Sequence, residues 1–106
     1  MLVQDVLQYI YESAEERMEY NPDVAEFYQG VIRECPRYNT EEEAVEAYDT
    51  MKKEDPETRY MVWGTIRKDE EFYSVTEPWI VTTGGDPQKA AEYVGMVYIE
   101  DYKSML

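Results

Sequence analysis

The sequence contains no histidine, a single cysteine, two phenylalanines and only 10 lysines and arginines in 106 residues. Without histidine there is no imidazole general base. The Ser-His-Asp and Cys-His nucleophilic arrangements and histidine-ligated zinc are all excluded. One cysteine cannot form an intramolecular disulfide or a dithiol redox pair, which fits a reducing compartment. No apolar run approaches the length of a membrane-spanning helix. The start, Met1-Leu2-Val3-Gln4-Asp5, lacks both the basic residues and the apolar stretch of a signal peptide. A cytoplasmic protein is the expectation.

What the chain has in excess is negative charge. Asp and Glu total 24 and the formal net charge is −14. That balance repels nucleic acid and anionic membrane surfaces, so direct binding to either is not expected, and it favours basic partners. The hydrophobic fraction of 43% is nonetheless sufficient for folding. At this length the expectation is one domain with one modest core.

Residues 60–83 are the only stretch that reads as sheet. Tyr60, Val62, Gly64 and Ile66 alternate with Met61, Trp63, Thr65 and Arg67, the period of two of a strand with distinct faces. Lys68 to Glu71 form a polar turn, and Phe72 to Thr76 a return strand, giving an antiparallel hairpin. Pro78 cannot donate to a ladder, so it is expected to end that strand or to lie on an edge. Trp79 to Thr83 are then either a third strand or a bent continuation of the second. If the Tyr60/Val62/Ile66 face packs on helices, Met61 and Trp63 point outward.

Helices are expected on either side. Over residues 2–20, Val3, Val6, Leu7, Ile10, Tyr11, Ala14 and Met18 form one apolar stripe. Asn21-Pro22 reads as an N-cap and first helical position, opening a helix to about residue 35. It buries Ala25, Tyr28, Val31 and Ile32, with Phe27 at the margin, and it tolerates a weakening Gly30 in its interior. Pro36 closes it. Thr40 and Glu43 form a capping box for a third helix, whose stripe is Ala44, Ala47, Tyr48 and Met51 and whose end carries Lys52 and Lys53. After Gly84-Gly85, Asp86 is the expected N-cap and Pro87 the first residue of a fourth helix. The spacing of Ala91, Val94, Tyr98, Tyr102 and Met105 favours one helix to about residue 104. The alternative is a short helix capped by Gly95, followed by a strand over residues 96–100. The fold class is therefore α+β: three N-terminal helices, a hairpin or small sheet, and a C-terminal helix, with helices packed on one sheet face.

No catalytic or cofactor motif is present. Thr82 to Asp86 lack the Lys-Ser/Thr ending of a phosphate-binding loop, and the alternating carboxylates of a calcium loop are missing. Cys35 lies on the apolar stripe of the second helix and reads as a structural thiol in spite of Arg33 and Arg37 nearby. Neither an enzyme nor a metal or cofactor site is expected.

The surface is the informative part. Residues 1–55 hold 15 acids and 5 bases, and residues 56–106 hold 9 and 5, so the excess lies on the helical half. Glu12, Glu16 and Glu19 share one helical face; Glu42, Glu46 and Asp49 share another. Successive turns rise by about 5.4 Å, so each row presents regularly spaced carboxylates. Like charges at helical spacing oppose folding, and the net charge exceeds the roughly 2–8 typical of small domains. Solvation of a charged face is the plain explanation; an imitation of phosphates is the functional one. In size, acidity and lack of catalytic equipment the chain resembles the small acidic inhibitors, anti-CRISPR and anti-restriction proteins of the DNA-mimic type, that phages and mobile elements direct against host nucleases. This resemblance covers composition alone. It implies a protein partner with a basic, nucleic-acid-binding surface, such as a nuclease. On that reading the two acidic rows imitate phosphates, while an exposed Trp63 or exposed tyrosines anchor the contact. The alternatives are an assembly protein, a homodimer pairing through the outer sheet face, and a ligand-binding domain or enzyme of unrecognised type.

Overall fold

A computed structural model describes residues 2–106, and among these the elements run α1 (Val3–Tyr20), α2 (Pro22–Arg33), β1 (Arg37–Tyr38), α3 (Glu41–Glu54), β2 (Tyr60–Asp69), β3 (Phe72–Thr83), α4 (Gly85–Tyr93), β4 (Val97–Tyr98) and α5 (Ile99–Met105). The class is α+β, as expected. The long β2–β3 hairpin is flanked by two-residue strands in the antiparallel order β1-β3-β2-β4. Each short strand pairs with only two positions on the outer edge of the hairpin: β1 with Trp79 and Ile80, β4 with Trp63 and Gly64.

Local chemistry sets most boundaries. Asn21 joins two helices: its N–H donates to the Arg17 carbonyl at 2.8 Å, and its own carbonyl accepts from Ala25 at 3.0 Å. Its side chain makes no capping bond, contrary to expectation. α2 ends at Arg33, two residues before the expected stop. Thr40 caps α3 as predicted, its hydroxyl accepting from the Glu43 N–H at 3.1 Å. α4 opens at Gly85 with Gly84 in the cap position, so Asp86 lies in the first turn rather than at the cap.

The hairpin differs from expectation at Pro78. β3 is an interior strand, and Pro78 sits inside it, where the ladder breaks: Trp63 faces Ile80 but Thr65 faces Thr76. Glu77, Pro78 and Trp79 thus oppose Gly64 alone, and a bulge is one of the few places an interior strand admits proline. Thr65 Oγ1 donates to the Pro78 carbonyl at 2.7 Å. A side chain at Gly64 would run into Val75 and Trp79, so the bare backbone is what lets the Trp79 ring fold over the strand.

The C-terminal stretch is not one long helix. Gly95 takes φ +86, a left-handed conformation that glycine adopts without penalty, and this ends α4. Residues 97–98 then pair with Trp63 and Gly64 before α5 begins. The spacing of Tyr98, Tyr102 and Met105 does reflect a helix, but a separate one.

Helices cover both faces of the sheet, not one. Met61, Trp63 and Ile80 pack with Ile32 of α2 and with Ala90 and Ala91 of α4. On the opposite side, Val62, Trp79 and Val81 pack with Ala44 of α3. Towards the hairpin tip, Ile66 and Tyr73 pack against Leu7 of α1.

Candidate functional site

The six carboxylates expected to bind a partner, Glu12, Glu16, Glu19, Glu42, Glu46 and Asp49, are all exposed. Each row follows the same i, i+4, i+7 spacing on its helix. α3 turns Ala44 to the sheet and holds Tyr48 and Met51 against the same core cluster, which leaves Glu42, Glu46 and Asp49 facing away. α1 buries Leu7 and packs Val3, Ile10 and Tyr11 around it, which sets Glu12, Glu16 and Glu19 on its solvent side. The rows stand on separate helices whose core partners on β2, Ile66 for α1 and Val62 for α3, share one face of the strand. α5 lies between them, with Tyr102 against the α1 cluster and Ile99 against the α3 cluster. Lys103 of α5 pairs with Glu41 at the start of α3 at 2.9 Å.

That pair is the sole ion pair among the described residues. Every aspartate and glutamate except Glu41 is exposed. Twenty-three of the 24 carboxylates are thus outside any ion pair among the described residues. Among the described residues no three carboxylates or thiols converge as a metal-ligand set.

Trp63 is not on this surface. It is 2% exposed, its indole N–H donates to Thr82 Oγ1 at 2.9 Å, and its ring lies 5.6 Å from that of Tyr98. The expectation that Met61 and Trp63 point outward fails because α2 and α4 cover that face. All tyrosines except Tyr9 and Tyr20 are at least partly buried. The exposed aromatics are instead Tyr9, Tyr20, Phe27 and Phe72, at 74%, 75%, 67% and 62%.

Two further features were not read from the sequence. Arg17 reaches from α1 to the end of α4, donating to the carbonyls of Glu92 at 3.2 Å and Tyr93 at 2.9 Å, with its guanidinium 5.4 Å above the Tyr93 ring. α4 has no basic residue in its last turn, so a cation from another helix compensates that terminus. A cleft of about 440 Å³ opens between α1 and α5, floored by Met61, Trp63 and Met96 and edged by Tyr9, Arg17 and Asp101. Cys35, half-buried, donates weakly to the Val31 carbonyl at 3.5 Å. Burial pushes its thiol pKa up in spite of Arg37, the reverse of an activated nucleophile. Tyr98 is likewise pushed up, to about 12, by burial and by hydrogen bonding to Glu100.

No helix among the described residues is long and apolar enough to cross a membrane. Compared with protein-family models, curated proteins and solved structures, the chain matches none.

Proposed function

We propose that this is a non-enzymatic, cytoplasmic binding protein that occupies the basic, nucleic-acid-binding surface of a protein target, in the manner of the DNA-mimic inhibitors of nucleases. The observation that carries this reading is the uncompensated acidic surface: one ion pair among the described residues, and every carboxylate but Glu41 exposed. Within each row the arrangement opposes folding, because like charges one turn apart repel. A cationic groove gains a great deal from it, through steered encounter and release of its counterions. Glu12, Glu16, Glu19, Glu42, Glu46 and Asp49 are the residues assigned to the contact, with α1 and α3 as its two platforms. An anti-CRISPR or anti-restriction role in a phage or mobile element is the specific form of this proposal.

Self-association through an outer sheet face has no comparable support, since the apolar parts of both faces lie beneath helices. The discriminating experiment is affinity capture from lysate at low salt, followed by elution with duplex DNA. Release of a nuclease or other nucleic-acid-binding protein, with capture lost when Glu12, Glu16 and Glu19 are changed to lysine, is the expected result. Capture indifferent to DNA, to salt and to those substitutions would refute the reading.

A further inference from the structure

Two features of α2 stand out on its outer surface, where the Phe27 ring packs edge-on against that of Tyr28 with centroids 5.6 Å apart. Phe27 is 67% exposed. One turn on, Gly30 lies inside a twelve-residue helix, where glycine costs about 1 kcal/mol relative to alanine. At Gly64 and Gly95 an added Cβ would collide with neighbouring side chains, so the fold explains those glycines. At Gly30 the nearest atom to such a Cβ is the Arg33 guanidinium at 3.8 Å, and no other element of the chain comes close. The helix is thus weakened at a point where nothing inside the molecule requires it.

The bare backbone of Gly30 floors a shallow basin on the outer side of α2, with Phe27 and Val31 as its apolar walls. Asp23, Glu26 and Glu34 stand on the rim with Arg33. Three carboxylates against one guanidinium leave that rim negative, and none of the four is in an ion pair among the described residues. The position of Arg33 is itself informative, since the chain's own guanidinium lies 3.8 Å from where a Cβ at residue 30 would stand.

We propose that this basin receives an arginine side chain projecting from a basic protein partner. The guanidinium stacks on the Phe27 ring and pairs with the rim carboxylates, a combination that suits arginine better than lysine. Gly30 lets the aliphatic stem approach the helix backbone, and Arg33, an exposed side chain, swings aside. The proposal rests on the reading that the partner is basic, and it supplies the exposed aromatic anchor that Trp63 cannot provide.

The test uses an acetylated, amidated tetra-arginine peptide, with tetra-lysine as comparison, titrated into isotope-labelled protein while amide chemical shifts are followed. The largest shifts are expected at Phe27, Gly30 and Val31, with arginine binding roughly two- to fivefold tighter than lysine. Gly30→Gln places a neutral, helix-favouring side chain in the basin without a clash. It should abolish those shifts while raising thermal stability, so loss of binding cannot be ascribed to unfolding. Arg33→Ala should tighten binding. If shifts centre on the Glu12 and Glu42 rows with α2 silent, or if Gly30→Gln binds like the parent, the basin is refuted and the acidic-surface reading stands. If no saturable shift occurs anywhere, both fall together.

Discussion

The side-chain amide of Gln4 pairs with the backbone of Tyr73 as another strand would. Its Nε2 donates to the Tyr73 carbonyl and its Oε1 accepts from the Tyr73 N–H, both at 2.8 Å. β1 occupies that edge of β3 only at Trp79 and Ile80, so one glutamine of α1 completes the ladder nearer the hairpin tip. Replacing Gln4 with methionine keeps the bulk and removes both bonds. The cost is expected at about 1–3 kcal/mol, with faster amide exchange at Tyr73. Unchanged exchange at Tyr73 would show that the pairing contributes nothing in solution.

Trp63 is a core residue, so its loss should act on stability and not on a binding surface. Trp63→Ala removes the indole from between α2, α4 and Tyr98 and leaves Thr82 without its donor. A loss of about 3–5 kcal/mol in a denaturant titration is expected. A variant that folded normally yet lost only its partner would return Trp63 to the surface.

Gly95 combines a left-handed backbone with a close approach: an added Cβ would stand 2.5 Å from the Ala14 Cβ. Gly95→Ala should therefore cost about 2–5 kcal/mol, from backbone strain and overpacking together. Adding Ala14→Gly relieves the collision and not the strain, so recovery should be partial. Full recovery would mean that the φ angle carries no penalty.

Tyr98 links stability to alkaline pH. Its ordinary pKa of 10 is pushed up to about 12 in the folded chain, first by burial and then by Glu100. The folded state thus holds the proton more tightly than the unfolded chain does. The associated stability is fully present below pH 10 and is lost progressively as pH rises towards 12. Tyr98→Phe should flatten that part of the profile relative to the parent; superimposable profiles would contradict the assignment.

The acidic rows should trade stability against binding. Changing Glu12, Glu16 and Glu19 together to glutamine is expected to stabilise the fold by roughly 0.5–1 kcal/mol. That corresponds to a rise of about 2–8 °C in Tm at low salt, shrinking as added salt screens the charges. Destabilisation by the same triple change would mean that these carboxylates serve the fold.

The sequence by itself determined the local elements whose causes are local. The capping box at Thr40, the stop and start at Asn21-Pro22 and the period-two alternation from Tyr60 each depend on neighbours a few residues away, and each helix or strand formed where expected. It also determined that the six assigned carboxylates would be exposed, because charge stays in water unless paired. Tertiary structure decided what depends on distant partners. Whether Met61 and Trp63 faced solvent turned on α2 and α4 arriving over that side of the sheet, and alternation is the same whether one face or both are covered. The place of Pro78 turned on a register break opposite Gly64, and the end of α4 on the fit of Gly95 against Ala14. The exposed Phe27 and unfilled Gly30 became meaningful only once the packing showed that no other element among the described residues covers them.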